Sequence, residues 1–295
     1  IGVAAAMGLA LCAINNTSNS KNDLLSDLKH AYHVLFKTRP TAINLKWGLD
    51  RIIEEAHRHE DTDEIRINLV KTAIQMSQDD INTNIKLGNY GSNLINDGEV
   101  VMTHCNAGAL ATVSYGTALG VIRSAKNSGK KISVIATETR PVMQGSRLTA
   151  FELVHDGVDV SLVPDTAVGH LMANNMVNKV IVGADRILKT GHVFNKIGTY
   201  QVALLANSHN IPFYVAAPSS TFDLNSGVED IVIEERSVDE VVTIAGKRVA
   251  PKRVRIFNPA FDLTPPDLIS GIITEKGVIT APFEKNIPAT IGDPC

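Results

Sequence analysis

From Gly98 onward, short apolar runs alternate with stretches of helical periodicity, and this alternation constrains the fold more than any other feature. The apolar runs are EVVMTH, KISVIATET, VDVSLVPD, VNKVIVGAD and IPFYVAAP. Between them lie the helix-like segments VSYGTALGVIRSAKNSG, RLTAFELVHDG, TAVGHLMANNM and KIGTYQVALLANSHN. Strands separated by helices of about ten to fifteen residues are typical of βαβ units. The pattern therefore predicts an α/β fold with a parallel sheet and right-handed crossovers.

The first ninety residues have a different pattern, with apolar positions at three- and four-residue spacing. The segments that show it are IGVAAAMGLALCAI, DLLSDLKHAYHVLFKT, INLKWGLDRIIEEAHRH and EIRINLVKTAIQMSQDDINTNIKLGNYG. Pro40 and the DTD cluster at 61–63 separate helices there. We predict a helical N-terminal domain over 1–92 and an α/β domain over 93–295, with the boundary near 91–98.

Composition excludes several function classes. The net charge of −3 argues against a nucleic-acid partner bound by bulk electrostatics, and we expect no basic patch. The cysteines at 12, 105 and 295 have neither metal-ligand spacing nor a paired framework, which indicates a reducing compartment. No apolar stretch approaches the ~20 residues that span a bilayer. GxGxxG and GxxxxGK[ST] motifs are both absent, so dinucleotide or ATP binding has no local support. Because metal-ligand spacing and a membrane span are missing as well, we expect no metal, no cofactor and no membrane partner.

Chemically active residues follow the predicted strands. If the sheet is parallel, the carboxyl ends of its strands share one edge, where ligands bind in open α/β sheets. That edge would display Cys105, Glu138-Thr139-Arg140, Asp165, Asp185 and Pro218-Ser219. Ionisable groups that converge on an apolar pocket are what acid–base chemistry requires.

Two of these residues have both a structural and a catalytic interpretation. Cys105 is either a buried packing residue or a reactive thiol favoured by the adjoining turn and helix start. Asp185 either caps a helix or pairs with Arg186, or it is a general acid whose pKa rises because water is excluded. Cys12 and Cys295 have no comparable context, and we interpret both as structural.

Two further segments suit a phosphate group. RPVMQGSRLT (140–149) offers two arginines and an amide, although Ser146 or Thr149 could simply cap the next helix. FNKIGTY (194–200) places Asn195 and Lys196 just before a predicted helix.

Taken together, the chain resembles the methylthioribose-1-phosphate isomerase family, which also includes ribose-1,5-bisphosphate isomerases and regulatory subunits of translation initiation factor 2B. The matching stretches are IGVAAAMGLAL, TRPTAINL, THCNAGALAT with YGTALGVIR, ETRPVMQGSRLTAFEL, IVGADRI, NKIGTY, PFYVAAPSSTFD, IEER and FNPAFDLTPPDLISGIITEKGV. The resemblance implies a helical N-terminal domain joined to a Rossmann-like C-terminal domain. It also implies a homodimer, and the reducing compartment indicated by the cysteines predicts a cytoplasmic location.

The resemblance assigns roles to individual residues. Cys105 and Asp185 match the catalytic cysteine and aspartate of the family. Its substrate and phosphate contacts match Arg39, Gln144, Asn195 and Lys196. The implied reaction converts 5-methylthioribose 1-phosphate to its ketose in methionine salvage, without a metal.

The chain departs from the family in two places. The Arg-Gly-Ala-Pro motif that precedes the family's first matching helix is absent, so we expect a missing N-terminal segment. Where the family usually has GDTANKIGTY, this chain has GHVFNKIGTY, with His192 either in an exposed turn or altering the pocket. 5-Deoxyribose 1-phosphate and ribose 1,5-bisphosphate therefore remain alternative substrates. A non-catalytic regulatory protein of the initiation-factor type is the alternative from another class, although such relatives generally lack the cysteine–aspartate pair.

Overall fold

The computed structural model describes residues 1–39 and 42–292, so the predictions made for Pro40 and Cys295 lie outside the described residues. The chain forms two compact units, Ile1–Thr83 and Asn84–Cys295. This division falls inside a helix that ends at Ser92, and the predicted boundary at 92/93 coincides with the end of that helix. The boundary between functional domains stays a prediction.

The N-terminal unit is helical, as predicted. It contains α1 (Gly2–Asn15), α2 (Lys21–Phe36), α3 (Ile43–His57) and most of α4 (Thr62–Ser92). Ser20 caps α2 by accepting from the backbone N–H of Asp23, and Asp61 accepts two N–H groups at the start of α4. Small residues let α1 and α3 approach closely, since a Cβ on Gly48 would lie 2.4 Å from the carbonyl oxygen of Gly2.

The C-terminal unit alternates strands with helices. Its elements are β1 (Val100–Thr103), α5 (Ala118–Asn127), β2 (Ser133–Thr137), α6 (Ala150–His155), β3 (Asp159–Val163), α7 (Val168–Ala173), β4 (Lys179–Val182), β5 (Arg186–Leu188), β6 (Val193–Lys196), α8 (Thr199–Ser208), β7 (Phe213–Ala216), β8 (Phe222–Asp223), α9 (Asp239–Val242), β9 (Thr243–Ile244), β10 (Lys247–Arg248), β11 (Phe261–Thr264), β12 (Gly271–Thr274), β13 (Gly277–Ile279) and α10 (Phe283–Ile291).

Seven strands form the main sheet in the order β13-β12-β7-β4-β1-β2-β3. Every neighbouring pair is parallel except β12 with β13. The predicted parallel sheet is therefore confirmed, and the carboxyl ends of its parallel strands share one edge. The mixed α/β architecture, with a helical N-terminal part, is the fold class predicted from the sequence.

The core explains why the central strands are almost entirely apolar. One face of the sheet buries Met102, Ile135 and Val180 against α7 and α8. The other face buries Val101, Val134 and Ile181 in the cluster that includes α5. A strand covered on both faces has no solvent side, which is why these runs show no alternation of polar residues.

A second sheet, of order β11-β6-β5-β8, was not predicted. Its first part is a hairpin in which β5 and β6 pair antiparallel around Gly191, at φ +85°. The Thr190-Gly191 pair between RIL and VFNK is a hairpin signal that could have revealed this turn. The pairing of β6 with β11 joins residues more than sixty positions apart, such as Asn195 and Asp262, and no local pattern indicates it.

Three expectations need correction. The helices predicted over 147–157 and 166–176 are short, because α6 and α7 each span six residues. The pattern of FNPAFDLTPPDLISGIITEKGVI (257–279) predicts loop, helix and strand, whereas this stretch contains strand β11 and a single 3₁₀ turn, Pro266–Leu268, before the hairpin β12–β13. The expectation of no basic patch is wrong, because residues 247–255 expose five cations: Lys247, Arg248, Lys252, Arg253 and Arg255. The absence of a nucleic-acid partner stays a prediction.

Candidate active site

The strand order reverses between β1 and β4. From β1 the chain proceeds to β2 and β3 on one side, whereas β4, β7 and β12 lie on the other. Such a switch point opens a crevice at the carboxyl edge of the sheet, where α/β proteins bind ligands. Cys105 follows β1 and Asp185 follows β4, so the two predicted catalytic residues flank this crevice. A Cβ on Gly183 would lie 2.7 Å from Cβ of Ala107, which shows how closely their loops approach.

Cys105 is held in a strained conformation. It is half-buried and has a φ of +64°, a region that residues with a side chain rarely adopt. Its backbone N–H donates to Oγ1 of Thr139 at 2.8 Å, and its carbonyl accepts from Oγ1 of Thr149 at 2.6 Å. Thr139 is itself at φ +62°. Strain of this kind costs roughly 1–3 kcal/mol per residue and is typical of functional sites.

Thr149 contradicts the alternative that it merely caps a helix. Its hydroxyl bonds to Cys105, and α6 has no side-chain cap at this residue. The segment before it, Gly145–Thr149, forms a π-helical turn, a feature found frequently at functional sites.

Asp185 lies close to the predicted phosphate contacts. Its backbone N–H donates to the carbonyl of Phe194 at 2.9 Å, directly before Asn195. Asn195 and Lys196 are each 6% exposed and end strand β6, shortly before α8 begins at Thr199 as the sequence predicted. The Lys196 ammonium donates to the carbonyl of Ala260 and lies 4.7 Å from the ring centroid of Phe261. A buried cation at this position is suited to an anionic group.

Gln144 follows β2 at the same edge. Within the described residues, its Oε1 atom is buried and accepts no hydrogen bond. A buried acceptor without a hydrogen-bond donor is unfavourable, so a ligand that donates a hydrogen bond to Oε1 would gain binding free energy. The two neighbouring arginines have backbone partners: Arg140 donates to Pro141 and Val241, and exposed Arg147 donates to Val142.

A buried carboxylate holds the turn that follows Cys105. Glu152, 5% exposed, accepts from the Asn106 side chain at 2.9 Å and from the backbone N–H of Ala109 at 2.7 Å. Its charge is balanced by Arg123 at 2.7 Å, which also pairs with Asp156. The turn therefore keeps its shape through one ionised side chain on α6.

Replacing Glu152 with Gln should loosen this turn. One carboxylate oxygen becomes an amide NH₂, which cannot accept from Ala109 or Arg123, so we expect the unfolding free energy to fall by about 1–3 kcal/mol. Turnover should fall as well, because Cys105 begins the turn. Asp156→Asn is the matched control, since Asp156 pairs with the same Arg123 but lies at the C-terminal end of α6, away from the bonds that Glu152 makes to the turn. Equal turnover in the two variants, measured alongside denaturant unfolding, would show that Glu152 has only a structural role.

The remaining predicted residues fall as follows. Arg39 lies after α2 in the N-terminal unit, and its role in the site stays a prediction.

His192 lies in the β5–β6 turn. The alternative of a turn position is therefore confirmed, but the residue is half-buried and bonds to Thr190 at 2.8 Å. Phe194 is 2% exposed. Asp262, which lies on β11 opposite Asn195, accepts from the N–H groups of Gly198 and Tyr200 at the start of α8, and burial raises its pKa to about 6.

In the described part of the chain, no helix is long and apolar enough to cross a bilayer. Among the same residues, no cluster of three or more His, Cys, Asp or Glu side chains could hold a metal ion.

A cavity of about 200 Å³ lies at the carboxyl edge of the sheet. Its lining includes Arg140 and Asp165, which the sequence analysis placed at this edge, and His104 and Thr137, which it missed. The Asp165 carboxylate accepts from the backbone N–H groups of Thr139 and Arg140, at 2.8 and 2.7 Å. It thereby fixes the end of β2 beside Cys105. His104 precedes Cys105 in the sequence, but only the fold reveals its partners.

The chain matches the model of the initiation factor 2 subunit family over residues 1–281. Two curated relatives are methylthioribose-1-phosphate isomerases. The one from Fervidobacterium nodosum is 53% identical and the one from Thermosipho africanus is 50% identical, and each comparison covers 97% of this chain and 83% of the relative.

Solved structures agree with this placement. The 5-methylthioribose 1-phosphate isomerase of Pyrococcus horikoshii superposes with a TM-score of 0.88 at 43% identity, covering 98% of this chain and 82% of that protein. A structure described as translation initiation factor eIF-2B, subunit delta, from A. fulgidus gives 0.85 at 49% identity, with coverage of 98% and 85%. The chain belongs to the initiation factor 2 subunit family, within its methylthioribose-1-phosphate isomerase group.

Proposed function

We propose that this protein is an aldose–ketose isomerase that converts 5-methylthioribose 1-phosphate to 5-methylthioribulose 1-phosphate, a step of methionine salvage. Relatives at about 50% identity over nearly the whole chain carry the name of this activity. The observation that carries the proposal within the structure is the position of Cys105 and Asp185. They follow neighbouring strands at the switch point of the sheet, on loops that touch through Gly183 and Ala107.

The substrate poses a specific chemical problem. A sugar whose anomeric carbon is phosphorylated cannot open freely to an aldehyde, so the ring C1–O bond must break while the phosphate stays attached. In our proposal Asp185 donates a proton to the ring oxygen as that bond breaks. Hydrogen then moves from C2 to C1, and the C2 hydroxyl loses its proton to become the ketone. The proton gained at the ring oxygen balances the proton lost at O2.

Two paths for the C2 hydrogen fit this scheme. It moves either as a hydride within the substrate or as a proton relayed by a base, and Cys105 would stabilise the transition state or take part in the relay. The constrained backbone of Cys105 favours a fixed thiol position in either path. Exclusion of water from the crevice would favour both paths.

The phosphate and hydroxyl groups would be bound by Arg39, Gln144, Asn195 and Lys196. Lys196 supplies a buried positive charge, and the Gln144 Oε1 atom is suited to accept from a sugar hydroxyl. We assign no cofactor or metal to the reaction. A homodimer follows from the family resemblance, a cytoplasmic location from the spacing of the cysteines, and the absence of a nucleic-acid partner from the net charge of −3; together they complete the proposal.

The deciding experiment compares turnover of 5-methylthioribose 1-phosphate, 5-deoxyribose 1-phosphate and ribose 1,5-bisphosphate, with the ketose product followed by NMR. We expect the highest kcat/KM with the first substrate. Preference for either other sugar would overturn the substrate assignment and point to a pocket altered at His192, Val193 and Phe194. Absence of turnover with all three, despite a folded protein, would favour a regulatory protein of the initiation-factor type.

A further inference from the structure

A chain of hydrogen bonds connects the backbone of Cys105 to the loop that follows Lys196. The Cys105 N–H donates to Oγ1 of Thr139 at 2.8 Å. The hydroxyls of Thr139 and Thr137 lie 3.3 Å apart, and that of Thr137 lies 2.7 Å from Nδ1 of His104. The other ring nitrogen, Nε2, lies 2.8 Å from the carbonyl oxygen of Ile197. We call this set the His104 chain.

The donor and the acceptor of each bond in the His104 chain can be assigned by starting from the carbonyl oxygen of Ile197. A carbonyl oxygen only accepts, so Nε2 of His104 must carry the hydrogen that Ile197 receives. The ring is 2% exposed, and this burial lowers its pKa; the bond to Ile197 and the charge of Asp165 oppose the shift, and Lys196 adds to it. The imidazole is therefore neutral, and its Nδ1 atom is an acceptor.

A bare Nδ1 atom requires Thr137 to donate to it. The Thr139 hydroxyl can then donate to the hydroxyl and the carbonyl oxygen of Thr137, each at 3.3 Å, while its own oxygen accepts the Cys105 N–H. All groups point the same way, from Cys105 to Ile197, and hydrogen bonds aligned in this manner strengthen one another. The ring also packs closely against Gly198, since a Cβ on this glycine would lie only 3.0 Å from the Cε1 atom of His104.

We infer that His104 is a positioning residue, which through Thr137 and Thr139 fixes the strained backbone of Cys105 relative to the Lys196 loop. The inference rests on the proposed function for the role of Cys105 in turnover. It does not require His104 to exchange a proton with the substrate. Its two nitrogens are already used within the protein, and its two partners lie 33 and 93 residues away in the chain.

Thr137→Val tests the inference, because valine keeps the shape of the buried threonine and removes only the hydroxyl. We expect kcat to fall about tenfold, because the loss of one hydrogen bond of the chain corresponds to a rate change of that size, and we expect little change in KM. Thr137→Ser restores a hydroxyl and should recover most of the loss. Thr274→Val is the matched control: this fully buried threonine donates to Gly277 in the β12–β13 hairpin. Equal loss of kcat in Thr137→Val and Thr274→Val would overturn the inference.

A second measurement does not depend on the substrate. The rate at which iodoacetamide alkylates Cys105, followed by peptide mass spectrometry, should change at least threefold in Thr137→Val and stay near wild type in Thr274→Val, because a bond of this kind controls the thiol position. An unchanged rate in Thr137→Val would contradict the inference even if the protein turns over every sugar. NMR of ¹⁵N-labelled histidine should show the neutral Nε2–H form of His104 at pH 7. An imidazolium or an Nδ1–H form would also overturn it.

Discussion

Cys105→Ser and Asp185→Asn should each reduce kcat by about 10²–10⁴-fold, the range in which a positioned acid–base group contributes to catalysis. Serine keeps the size of the cysteine side chain but replaces the acidic, polarisable thiol with a hydroxyl. Asparagine keeps the shape of the aspartate but has no proton of suitable acidity to donate. Both losses should appear in steady-state turnover of the preferred sugar phosphate.

The control for these variants is Cys12→Ser. Cys12 lies on α1 in the other unit, where its sulfur is 3.9 Å from the carbonyl oxygen of Asp27. Its replacement should leave turnover unchanged. All three proteins should unfold at similar temperatures, because neither active-site substitution changes the volume of a packed core. Near-normal turnover in both Cys105→Ser and Asp185→Asn would rule out the catalytic assignment.

Gly145→Ala should have the largest effect on stability among conservative changes near the site. A Cβ at this position would lie 1.7 Å from the carbonyl oxygen of Thr137. Two non-bonded atoms cannot lie this close, so the backbone must move. Because Thr137 ends strand β2, the end of the strand or the π-helical turn must shift. We expect the unfolding free energy to fall by about 3 kcal/mol. Substrate binding should weaken too, since Gln144 adjoins the displaced residue.

Gly169→Ala provides the comparison. Gly169 lies in α7, and a Cβ there would meet Leu205 at an ordinary 3.6 Å. Alanine in a helix is favoured over glycine, so this variant should be neutral or more stable by up to about 1 kcal/mol. Denaturant unfolding of both variants would check the pair. A Gly145→Ala protein as stable as Gly169→Ala would show that β2 does not approach Gly145 as described.

The sequence predicted those features that depend on neighbours along the chain. The apolar runs that became β1, β2, β4 and β7 are bounded by turn residues, so both their positions and their burial were evident. The residues at the carboxyl edge, Cys105 and Asp185 among them, follow from the parallel arrangement alone. Their adjacency does not, because periodicity gives no strand order, and only the observed pairing of β1 with β4 brings them together.

Features that depend on distant pairing could not be predicted. The second sheet requires β11 to return to β6, with Asp262 opposite Asn195. Glu152 reads as one more polar residue on a short helix until its bonds to the turn 106–110 are known. The role of His104 could not be predicted either, because a histidine beside a strand does not indicate a function until its hydrogen-bond partners are known. The roles given to the site residues, and the choice of Arg39, came from the family resemblance, which contains this long-range information without a physical derivation.

The switch point also determines when the site can form during protein synthesis. β2 and β3 leave the ribosome soon after β1 and can pair on one side of it, whereas the opposite edge of β1 stays open until β4, which begins at Lys179, has been made. An open strand edge is a template for unwanted association. A nascent chain that ends between Cys105 and Lys179 therefore has an exposed β1 edge and lacks Asp185. It cannot act on substrate before the second half of the sheet has joined the first.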